Sequence, residues 1–79
     1  MKNILITEFM NEDSVNLLKK NFNVNYDKTM FESEEKIKKE ISNCEAIIVR
    51  NKTQLQKSIL DNALNLKFVG RLGVGLDNI

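Results

Sequence analysis

Ala46-Ile47-Ile48-Val49-Arg50-Asn51-Lys52-Thr53 is the stretch that decides the fold. Four apolar residues in succession suit a strand buried on both faces, the environment of a central strand in a parallel sheet. The run stops on a charge, so Arg50 marks the carboxyl end of that strand. Upstream, Ser33 can cap a helix that carries Ile37 and Ile41 on one face and Glu34, Glu35, Lys38 and Lys39 outside. Before it, Phe22, Val24 and Tyr26 alternate with Asn23, Asn25 and Asp27, which predicts a strand with one exposed face at a sheet edge. Val15, Leu18 and Phe22 recur at helical spacing, and the acidic Glu12 and Asp13 suit the positive end of a helix dipole. That predicts a helix from about Glu12 to Asn21. Near the start, Ile4-Leu5-Ile6 is another continuous apolar run and predicts another buried strand.

Downstream, Leu55, Ile59, Leu60, Ala63 and Leu64 line one side of an amphipathic stretch. Its start is open: Thr53 with Gln56 has capping-box spacing, and a start three residues later fits as well. Phe68-Val69 is the last apolar strand, and glycines follow it. The order is β-α-β-α-β-α-β, which predicts an α/β fold with a mainly parallel open sheet and helices on both faces. Right-handed crossovers leave few topologies. The edge character of the second strand then gives the order 2-1-3-4, a flavodoxin-like arrangement.

Composition narrows the function classes. A chain of 79 residues holds one domain at most. Net charge is +1, and Lys19-Lys20 and Lys38-Lys39 read as solvated helix faces, so no sustained positive field for nucleic acid is expected. No run reaches the roughly 20 apolar residues of a membrane span. The N-terminal apolar stretch is too short for a signal peptide, and a cytoplasmic location is the expectation. Cys44 stands alone and reads as a small buried hydrophobe. Histidine is absent, and no metal-ligand cluster or nucleophile paired with a base stands out.

In the order 2-1-3-4, ligands bind beyond the carboxyl ends of the first and third strands. The loops there run from Thr7 to Asn11 and from Arg50 to Thr53, with Arg71 to Asp77 adjacent. Arg50 offers a planar fork of donors that matches a carboxylate or phosphate. Its other reading is a solvated strand end or a salt bridge to Glu8. Gly73-Val74-Gly75 permits positive φ and close ligand approach, and its amides can form an anion-binding concavity. A tight turn without a ligand is the other reading. Asn78 at the sixth position rules out Gly-x-Gly-x-x-Gly starting at Gly73. From the residues alone, the chain binds something anionic and does no chemistry unaided, so a stand-alone flavodoxin-like module for a small carboxylate or phosphate is the alternative reading. A receiver domain is discounted because Arg50 occupies the place of the phospho-accepting aspartate. A flavin site is discounted because Thr7 to Asn11 lacks a hydroxyl- and glycine-rich phosphate loop.

Val49-Arg50-Asn51-Lys52-Thr53, then the amphipathic stretch, then Asn65-Leu66-Lys67-Phe68-Val69-Gly70-Arg71-Leu72-Gly73-Val74-Gly75-Leu76-Asp77-Asn78-Ile79, resembles the first domain of D-isomer-specific 2-hydroxyacid dehydrogenases, within them the phosphoglycerate dehydrogenase branch. The first strand, Ser33-Glu34-Glu35 and Asn43-Cys44-Glu45-Ala46 fit as well. The resemblance implies that residues 1–79 are part of the substrate-binding domain of a two-domain dehydrogenase, with the NAD-binding Rossmann domain outside this chain. It implies that Arg50 and Asn51 hold a small anionic 2-hydroxy or 2-oxo acid and that Gly73, Val74 and Gly75 cradle its carboxylate. Val74 would also meet the nicotinamide end of NAD. Asn51 stands where serine is more usual; both donate, with different reach. The family's catalytic arginine, glutamate and histidine come later in its chains. The resemblance therefore implies an NAD-dependent oxidoreductase, acting on D-3-phosphoglycerate in serine biosynthesis, whose full-length form is a homo-oligomer and whose first 79 residues are inactive alone.

Overall fold

The structure, a computed structural model, describes residues 2–71. Its elements are β1 (Asn3–Ile6), α1 (Glu12–Lys19), β2 (Asn23–Tyr26), a 3-10 turn (Met30–Glu32), α2 (Glu34–Ile41), β3 (Ala46–Val49), α3 (Lys57–Leu60) and β4 (Phe68–Arg71). The four strands form one parallel sheet in the order β2-β1-β3-β4. Leu5 pairs Asn25 on one side and Ile47 on the other, so β1 and β3 form the centre.

Successive side chains of a strand point to opposite faces. Ile4 and Ile6 of β1 meet Val15 of α1 on one face. Leu5, Ile47 and Val49 meet Ile37 and Ile41 of α2 and Ile59 of α3 on the other. Each fully buried isoleucine or leucine contributes about 1.5–3 kcal/mol, so this second cluster, with Met30 and Cys44 added, is the larger part of the core. The helices thus lie on both faces, as the alternation predicts.

Local signals set the helix ends. The Asn11 side chain accepts from the amides of Asp13 and Ser14 and starts α1, and Ser33 caps α2 through the Lys36 amide, as its position suggests. The first helix stops at Lys19, two residues short of the expected end, because the amides of Asn21 and Phe22 both turn back onto the Leu18 carbonyl. The third helix is a single turn, starting at Lys57 behind Gln56. Thr53 does not cap it: the Thr53 hydroxyl is buried against that of Thr7 at 2.8 Å. The 3-10 turn carries buried Met30 and was not signalled by periodicity.

Two strands are less enclosed than their composition suggests. In β3, Ala46 and Ile48 are only half-buried, because α1 covers β1 and β2 more than β3 on that face. Phe68 and Val69 of β4 are 68% and 52% exposed, on opposite faces of an edge strand. Cys44 is buried, as expected, and its thiol donates to the Glu40 carbonyl at 3.2 Å. Burial pushes that thiol's pKa up, helped by the nearby Glu40 and Glu45 carboxylates.

Candidate functional site

Because β1 and β3 are parallel neighbours, the loops after them leave the same edge of the sheet. The Thr7 amide still donates to the Ile48 carbonyl at 3.3 Å, extending the pairing by one residue. Beyond it, Glu8 turns its side chain across to the loop that follows β3. Its carboxylate accepts from the amide of Arg50 at 2.8 Å, of Lys52 at 3.0 Å and of Thr53 at 2.7 Å. Glu8 is 2% exposed. Burial pushes its carboxyl pKa up, but the Thr53 hydroxyl and the three amides outweigh this and hold it below the ordinary carboxylate value. The Thr53 hydroxyl in turn shares a buried hydrogen bond of 2.8 Å with that of Thr7.

The alternative reading of Arg50, a salt bridge to Glu8, does not hold. Glu8 binds the Arg50 amide and leaves the guanidinium free of it. The half-buried Arg50 side chain instead lies over the Phe9 ring, 6.0 Å from its centroid, with one N–H 3.5 Å from the Phe9 carbonyl, at the long limit of a hydrogen bond. Lys52 sits over Phe31 at 5.1 Å. Contacts of this kind contribute about 0.5–1 kcal/mol at exposed sites, enough to bias the two cations without occupying their donors.

Between these groups lies a cleft of about 380 Å³ lined by Glu8, Phe9, Lys28, Thr29, Phe31, Arg50, Asn51 and Lys52. It sits at the reversal of strand order between β1 and β3, where open parallel sheets bind ligands. Arg50 and Asn51, both singled out from sequence, are brought together here. Lys28 and Lys52 add two cations beyond the residues singled out from sequence; Lys28 arrives on the loop after β2, held in place by Asp27, whose amide donates to the Ile6 carbonyl at 3.1 Å. Against Lys28, Arg50 and Lys52 the lining holds one negative group, Glu8, whose carboxylate faces the loop amides, so the cleft carries net positive charge and attracts anions. A larger hollow of about 670 Å³ between α1 and β2 mixes Glu12 and Asp27 with Lys19 and Lys28 and carries no such sign. Gly73, Val74 and Gly75 lie outside the described residues, as does most of the loop from Arg71 to Asp77. Among the described residues there is no group of three histidine, cysteine, aspartate or glutamate side chains fit to hold a metal ion, and no helix is long and apolar enough to cross a membrane.

Residues 4–79 match the family described as D-isomer specific 2-hydroxyacid dehydrogenase, catalytic domain. The (S)-sulfolactate dehydrogenase of Chromohalobacter salexigens is 39% identical over 79 residues, covering all of this chain and 26% of that protein. The D-3-phosphoglycerate dehydrogenase of Archaeoglobus fulgidus is 38% identical over 76 residues, covering 96% of this chain and 14% of that one. Among solved structures, the PH0520 protein from Pyrococcus horikoshii OT3 superposes with a TM-score of 0.80 at 28% identity, over all of this chain and 23% of its own. The chain thus spans about a quarter or less of the length of these relatives.

Proposed function

The chain belongs to the D-isomer specific 2-hydroxyacid dehydrogenases, and from that premise we propose that it supplies the acid-binding part of an NAD-dependent oxidoreductase acting on the C2 hydroxyl of a 2-hydroxy acid with a second anionic group. The observation that carries this reading is the convergence of Lys28, Arg50, Asn51 and Lys52 on one cleft at the strand-order reversal. A fork and an amide suffice for one carboxylate; two further lysines suit a second anion. D-3-phosphoglycerate, an acid with a phosphate, fits that charge pattern and is our first choice of substrate, which would place the protein in serine biosynthesis in the cytoplasm. The relatives named for phosphoglycerate and sulfolactate, also doubly anionic, support the same class.

Arg50 and Asn51 orient the acid, and Gly73, Val74 and Gly75 complete the grip on its carboxylate. The described loops do not fit a dinucleotide pyrophosphate. No glycine lies in residues 7–11 or 50–53, and three amides of the second loop are already given to Glu8. NAD, which takes up the hydride from C2, is therefore assigned to a Rossmann domain outside these 79 residues, with Val74 reaching its nicotinamide end. The acid/base that takes the hydroxyl proton is assigned there too, since the chain has no histidine.

The test is a substrate panel on the full-length gene product with NAD. D-3-phosphoglycerate should exceed D-glycerate in kcat/KM by about 10–100-fold, the factor that one charge-assisted hydrogen bond supplies. Lys52→Ala should reduce that preference. Equal use of both acids would sink the dianion reading.

A further inference from the structure

We propose that Glu8 is a positioning residue for acid binding: it templates the loop 50–53 from below, so that the Arg50 fork and the Asn51 amide are presented to the cleft. This rests on the reading of Arg50 and Asn51 as the acid-binding groups. A carboxylate beside a cleft that must attract carboxylates would ordinarily repel the ligand. Here one oxygen accepts from Arg50 and Thr53, the other from Lys52, all within 3.0 Å, and Thr53 is braced from behind by Thr7. The carboxylate oxygens are thus stabilised and occupied by the loop's own donors. Pairing with the guanidinium would instead occupy the fork that the ligand needs. Glu8 accepts the amides on both sides of Asn51, from Arg50 and Lys52, which sets the direction of that residue without contacting its side chain. The ionised form suits this task, because only a carboxylate presents two acceptor oxygens to three donors; an amide side chain would turn a donor toward one of the loop's N–H groups. The depressed carboxyl pKa agrees with that geometry.

The experiment uses the full-length gene product with D-3-phosphoglycerate as probe acid. Glu8→Gln, confirmed folded by circular dichroism, should raise KM about tenfold, the factor carried by 1.4 kcal/mol, while kcat changes less than threefold. Glu8→Asp, one methylene too short to reach the loop, should be no better. Separately, acidifying the wild type should move the amide resonances of Arg50, Lys52 and Thr53 together, with one midpoint below the ordinary glutamate value, and Glu8→Gln should abolish that movement. An unchanged KM in folded Glu8→Gln, or amides that share no midpoint, overturns the proposal. If Glu8→Gln does not fold, the wild-type titration decides. Arg50→Ala run in parallel separates the two readings: if it leaves KM unchanged, the acid-binding assignment fails, whereas the co-titration reports on Glu8 regardless.

Discussion

Replacing Glu8 with alanine removes the acceptor of three amide donors at once. Thr53 is buried, so its amide has no solvent to turn to, whereas Arg50 is half-buried and Lys52 exposed. An orphaned buried donor costs about 1–3 kcal/mol. Counting Thr53 in full and the other two at a fraction, Glu8→Ala should destabilise by about 2–4 kcal/mol. A folded domain is stable by about 5–15 kcal/mol, so the loss is a large share. The pH dependence has a fixed sign. Folding holds the Glu8 carboxyl below its ordinary value, so its contribution is fully present above that ordinary value and is lost as pH falls through the depressed one. Urea unfolding at pH 7 and at successive steps into acid measures both effects. The wild type should lose stability on acidification faster than Glu8→Ala, so that the two curves converge at low pH. A variant as stable as the wild type at pH 7, or two curves that run parallel into acid, would mean that Glu8 does not hold the loop.

Two further outcomes follow from other groups. The Lys36 ammonium beside Asp27, with help from the Thr29 amide and hydroxyl, holds the Asp27 carboxyl down at about 2. Lys36→Met should move it upward but leave it below the ordinary value, because Thr29 still donates; carboxyl chemical shifts followed against pH read this directly, and an unmoved midpoint would contradict it. The stability tied to Asp27 is present above its ordinary value and fades as pH falls toward about 2. Cys44, buried and with its thiol pushed up by that burial and by two carboxylates, should react with a thiol reagent at pH 8 far more slowly in the folded chain than in urea. Equal rates would place Cys44 at the surface.

Much of the fold is legible in the sequence because its signals are local. Ile4-Leu5-Ile6 and Ala46 to Val49 read as central strands from unbroken apolar runs, and the alternation of Val24 and Tyr26 with asparagines reads as an edge. Those three readings suffice for the sheet order. What escaped was set by distant partners. Thr53 has the spacing of a helix cap, yet its hydroxyl is claimed by Thr7, 46 residues away in sequence, so of the two starts open in the sequence the later one, behind Gln56, is taken; the helix is one turn because it ends at Leu60, short of Leu64. Arg50 and Asn51 were legible because a charge that ends an apolar strand falls on the cleft by topology. Lys28 reaches that cleft from a polar turn with no pattern of its own. Glu8 was visible only as a possible partner of the Arg50 side chain. The missed signal was its place: two positions beyond a central strand, Glu8 lies beside the loop that follows β3 and meets that loop's amides.

Arg50→Ala in the full-length gene product decides whether this cleft grips the carboxylate of a 2-hydroxy acid through Arg50, as proposed. Loss of a charge-assisted pair of about 1.5–3 kcal/mol predicts a KM for D-3-phosphoglycerate raised roughly 10–100-fold, in a protein whose urea midpoint shifts little, since among the described residues the guanidinium has a hydrogen-bond and cation–π partner in Phe9 alone, at the long limit of both. An unchanged KM in that folded variant would mean that Arg50 does not hold the acid.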